Sequence, residues 1–80
     1  MSATSKIQAR FQRMTARETS VALLVADGKA NAQIAEDLGI AEKTVKNVLM
    51  SCTLKMDVSA GGSSRVRVAL RVWQTVGFED

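Results

Sequence analysis

Residues 31–50 read NAQIAEDLGIAEKTVKNVLM, and the fold turns on how this stretch divides. Ile34, Ala35 and Leu38 share the spacing of one helical face, Gly39 interrupts them, and Val45, Val48 and Leu49 resume the spacing at once. Two helices joined by a tight glycine turn need a small residue where the second passes close to the first. Ala35 supplies it, and Gly39 takes the positive φ that other residues resist. Ile34, Leu38, Ile40, Val45 and Val48 are placed to plug the angle between the helices. That is the helix-turn-helix pattern.

Such a turn projects its second helix from the body of the domain, and a projecting helix fits the B-DNA major groove, about 12 Å wide. Glu42, Lys43, Lys46, Asn47 and Met50 lie on the outer side of that helix. Asparagine pairs bidentately with adenine, and lysine donates to guanine O6 and N7. A lysine pair alone would fit an ordinary helical hairpin with a solvated basic face. The small residue, the glycine and the plugs together favour a helix held out to read a duplex.

Outward from this core, Thr15-Ala-Arg-Glu18 is a capping box, the Thr15 hydroxyl accepting from the amide of Glu18 and the Glu18 carboxylate from that of Thr15. A helix over 16–27 follows, with Val21, Leu24 and Val25 inward and Gly28 as its stop. Asn31 is a good N-cap for the helix 32–38. The next helix spans 42–56 with Val45, Val48, Leu49 and Cys52 inward. Residues 57–64 (DVSAGGSS) have turn composition, and Ser64 caps a last helix over 65–76 before the tail 77–80. Residues 1–13 carry Lys6, Arg10 and Arg13 and no acid, while Ile7, Phe11 and Met14 fall on one stripe. A short helix, a basic arm and a frayed terminus all fit them. The expected class is all-α, one domain of four helices (14–76) with that N-terminal segment before it.

The last helix has more apolar surface than a small domain needs. Val66, Ala69, Leu70, Trp73 and Val76 span about a third of its circumference, and Val68 and Val72 widen that to over half. The surplus suggests a two-fold homodimer, with Val68, Val72, Trp73 and Val76 at its interface. The competing account is that Ile7 and Phe11 of the N-terminal segment cover the extra face.

Composition narrows the alternatives. Eighty residues bury only about 60% of their unfolded surface, so a partner subunit would help. Eleven basic against eight acidic residues leave +3, which fits a polyanion without requiring one. With Cys52 the sole cysteine and no histidine, a disulfide framework and an ordinary zinc site are excluded. Cys52 reads as a small buried apolar residue. No acid–base pair or nucleophile is set up, so neither an enzyme nor a cofactor is expected. The longest apolar run, Val21 to Ala26, is too short for a bilayer; a reducing cytoplasm is the expected setting.

From Met14 to Met56 the chain resembles the LuxR/GerE-type DNA-binding domain. That family's TPRE opening is met as Thr15-Ala16-Arg17-Glu18, its A-x-G-x-x-N-x-x-IA-x-x-LGI as Ala26 through Ile40, and its S-x-x-TVK as Ala41 through Lys46. Its KLGV is met as Lys55-Met-Asp-Val58, and Ser64-Arg65 matches its SR. The resemblance implies a third helix in the major groove, bases met by Lys46, Asn47 and Met50, and phosphates by Thr44 and Lys55; Lys43 joins this DNA-binding face from the helix geometry alone. It also implies pairing of two subunits through the last helix. Three departures stand out. Ala41 replaces the usual Ser or Thr cap, Val48 stands where histidine is usual, and Met50 offers no donor where several relatives have a polar reader. The loop before the last helix, with Gly61-Gly62, is also longer.

The leading expectation is a stand-alone transcription regulator that binds double-stranded DNA as a homodimer. The alternative is a protein-interaction module that pairs through the last helix with a larger regulator, RNA polymerase or a sigma factor.

Overall fold

In the computed structural model, which describes residues 2–56 and 64–77, the chain is all-helical among the described residues. The elements are α1 (Ala3–Arg10), α2 (Ala16–Ala26), α3 (Asn31–Leu38), α4 (Glu42–Lys55) and α5 (Ser64–Val76). The turn chemistry expected over 57–63, including Asp57 and Val58 of the KLGV match and the Gly61-Gly62 pair, lies outside the described residues, as do tail residues 78–80.

α2 begins on the capping box. Thr15 Oγ1 accepts from the Glu18 amide at 3.1 Å, and the Thr15 amide donates to Glu18 Oε1 at 2.7 Å. It stops where Gly28 turns left-handed at φ 87°. The Gly28 and Lys29 amides then donate to the Val25 and Leu24 carbonyls, the paired bonds of a glycine stop. Gly39 repeats the device at φ 67°, and the Ile40 amide returns to the Ala35 carbonyl at 3.0 Å. α3 thus ends after eight residues and α4 departs in a new direction.

Two helix starts differ from the sequence expectation. Asn31 is the first residue of α3 rather than its cap; Ala30 holds the cap position and makes no side-chain cap bond. Asn31 Oδ1 instead accepts from the Arg65 guanidinium, which also donates to the Lys29 carbonyl. Arg65 thereby ties the start of α5 to the loop between α2 and α3. Ser64 is likewise the first residue of α5 rather than its cap.

The core gathers Ile7, Met14, Val21, Val25, Ile34, Val45, Leu49, Cys52, Met56, Val68 and Val72. α2 packs on both α4 and α5, α3 on α4, and α1 on α5 and α2. The N-terminal segment is therefore a packed helix. Ser2 Oγ accepts from the Ser5 amide to cap it, Ile7 is fully buried, and Lys6 Nζ donates to the Val76 carbonyl at 3.4 Å, where a cation suits a helix C-terminus.

α5 corrects the expected interface. At about 100° per residue, its wide apolar stripe separates into two. Val68 and Val72 are fully buried in this chain's own core, so neither has surface left for a partner. Val66, Leu70 and Trp73 lie on the opposite side and stay 55%, 43% and 38% exposed. Val76 is half-buried between them. α1 packs on α5, as the account of a covering N-terminal segment expects, and an outward apolar ridge of Val66, Leu70 and Trp73 remains.

Candidate nucleic-acid interface

α4 is anchored along one side and open along the other. Val45, Leu49, Cys52 and Met56 form its buried stripe. Lys43, Lys46, Asn47 and Met50 are all exposed, and the 3.6-residue period sets them on the opposite side. The structure thus brings four of the residues expected to meet DNA onto one face. Leu54 joins them. It is not among the positions the resemblance implies, yet its spacing, four after Met50 and seven after Asn47, puts it in the same row. Met50 and Leu54 are 67% and 78% exposed. Beside them an open groove of about 270 Å³ is lined by Asn31, Lys46, Asn47, Leu49 and Met50. Asn31, which the sequence reading treats as a cap, is a wall of this groove.

Thr44 is half-buried on the flank of α4. Lys55 is further round that flank, where its Nζ lies 2.8 Å from Glu18 Oε1. A phosphate contact there would share the ammonium with that carboxylate.

Glu18 does three jobs. It completes the capping box, accepts from Lys55 at 2.8 Å through Oε1, and accepts from the Ser51 hydroxyl through Oε2. Its carbonyl also accepts from Cys52 Sγ at 3.3 Å. One residue at the start of α2 therefore holds Ser51, Cys52 and Lys55, on adjacent turns of the C-terminal half of α4. Burial pushes the Glu18 carboxyl up, but hydrogen bonds from Lys55, Ser51 and Thr15 outweigh that and bring it down to about 2 from an ordinary 4.5. Burial pushes the Cys52 thiol up to about 12; the nearby Glu18 carboxylate adds to this and Lys55 opposes it. Cys52 is thus a packing residue with a weak donor.

The departure at Ala41 has its expected local consequence: α4 starts with no side-chain cap bond. Among the described residues no helix is long and apolar enough to cross a membrane.

Comparison with known proteins places the chain in a family. The family model for bacterial regulatory proteins of the luxR family (GerE) matches residues 12–70. The chain is 36% identical over 70 residues to an uncharacterized response regulatory protein, YgeK, of Escherichia coli (strain K12), covering 84% of this chain and 47% of that one. It is 44% identical over 46 residues to the transcriptional regulatory protein LiaR of Bacillus subtilis (strain 168), covering 58% of this chain and 22% of that one. The chain therefore spans less than half the length of these curated relatives. No solved structure matches it. A helix-turn-helix built on Ala35 and Gly39, inside a family match over residues 12–70, leads to one conclusion: this chain belongs to the luxR family of bacterial regulatory proteins.

Proposed function

We propose that this chain regulates transcription in the cytoplasm by binding double-stranded DNA sequence-specifically, with α4 in the major groove. One observation carries the reading: Lys43, Lys46, Asn47 and Met50 stand together in solvent on α4, while its other side is core. Lys46 and Asn47 are the base readers, donating to guanine and pairing with adenine. Lys43 and Thr44 lie where a groove-bound helix meets phosphates, and Lys55 reaches a phosphate only while Glu18 shares it.

The same proposal holds that two copies pair through α5, along Val66, Leu70 and Trp73 in place of Val68 and Val72. The support is the ridge left outward when the inner stripe joins the core. A two-fold pair would present two α4 helices to two half-sites.

That ridge also favours a second reading, in which α5 docks on RNA polymerase or a larger regulator. DNA affinity measured against salt separates the two. Each phosphate neutralised contributes a slope of about −0.9 in log affinity against log salt, so the proposal expects a steep fall. Binding that is absent, or flat across the salt range, would overturn it in favour of the pairing module.

A further inference from the structure

The outer face of α4 mixes two chemistries. Lys43, Lys46 and Asn47 suit a polyanion with hydrogen-bonding base edges, whereas Met50 and Leu54 carry no donor and no charge. Both apolar side chains are turned fully outward. We infer that Met50 is a specificity-determining residue that reads thymine through its C5-methyl group. The inference rests on the reading of α4 as the DNA-binding helix and adds to it the base that this chain selects.

The geometry supplies the argument. Met50 is one turn beyond Lys46 and three residues beyond Asn47, so a groove deep enough to receive those two polar side chains also receives Met50. The open groove beside it, bounded by Asn31, Lys46 and Asn47, leaves room for a base edge. Among the groups exposed on the major-groove floor, the thymine methyl is the apolar one. The flanking lysines match a duplex in charge. Methionine is unbranched and polarizable and adapts to a small apolar target, and Leu54 prolongs the ridge by one turn. A guanine–cytosine pair has no methyl there, and Met50 has no donor for guanine O6 and N7 and only a weak acceptor for cytosine N4.

The experiment uses the duplex that the full chain enriches from a random pool. Each thymine of its half-site is replaced in turn by deoxyuracil, which keeps the pairing and removes only the methyl. The wild type should lose about fourfold in affinity at one position, the equivalent of about 0.8 kcal/mol for one buried carbon. Met50→Ala should bind the parent duplex more weakly by a similar factor and treat thymine and uracil there alike. Met50 is exposed, so the variant should unfold at the wild-type temperature, which a melt checks. A wild type indifferent to every uracil, or a Met50→Ala protein still sensitive at the same position, overturns the inference while DNA reading by α4 survives. Failure to enrich any duplex overturns both.

Discussion

Lys55 on α4 and Glu18 on α2 are 37 residues apart in sequence and 2.8 Å apart in space. Glu18 is buried and Lys55 is partly so, which distinguishes this pair from the exposed ion pairs that contribute little. Their contact ties the end of α4 to the start of α2.

That pair makes stability depend on acid. The Glu18 carboxyl titrates at about 2 in the fold against 4.5 when unperturbed. A lowered folded-state value means stability fully present above about pH 4.5 and lost as pH falls through about 2, on the order of 3 kcal/mol in total. Glu18→Gln should flatten that limb of a pH series of urea melts and lower stability at pH 7. It keeps a side-chain acceptor for the cap but leaves Lys55 without its anion. A pH profile unchanged by the substitution would remove Glu18 from this role.

Ala41 should be an easy site to stabilise. Its backbone already has the extended conformation of a cap residue, φ −74° and ψ 150°, with no side-chain acceptor. Ala41→Ser should add about 1 kcal/mol, read as a higher urea midpoint with an unchanged slope.

Cys52 should be silent to thiol reagents in the fold. Its Sγ is buried and donates to the Glu18 carbonyl, and the thiol titrates at about 12, leaving almost no thiolate at pH 8. Iodoacetamide labelling followed by mass spectrometry should therefore track unfolding in urea. Rapid labelling of the native chain would contradict the burial.

Pairing through α5 predicts that two faces of one helix respond differently to charge. Leu70→Glu, on the outer ridge, should leave a folded monomer by light scattering and circular dichroism. Val72→Glu, on the inner stripe, should unfold the chain, since an unpaired buried carboxylate is among the costliest substitutions. Dimers that persist in Leu70→Glu would place the interface elsewhere.

What the sequence discloses here is local. The capping box, the glycine stops and the plugs Ile34 and Val45 all rest on spacings within a few residues, and the outward row of Lys46, Asn47 and Met50 follows from helical period alone. What it conceals is long-range. Nothing in the spelling of α5 separates Val68 and Val72 from Val66 and Leu70, because both sets are apolar and only the packing of neighbouring helices chooses between them. The capture of Lys55 by Glu18 and of Asn31 by Arg65 joins distant positions, so each residue reads from sequence as something simpler: a phosphate contact and a helix cap.

The most direct test of a DNA-reading α4 is selection of bound sequences from a random duplex pool, run on the wild type and on Lys46→Ala. The wild type should enrich a short motif repeated as two inverted half-sites. Lys46→Ala should bind that motif about 1–3 kcal/mol more weakly and tolerate other bases at one position of each half-site. A wild-type pool that stays random, or an identical motif and affinity from Lys46→Ala, would contradict the account.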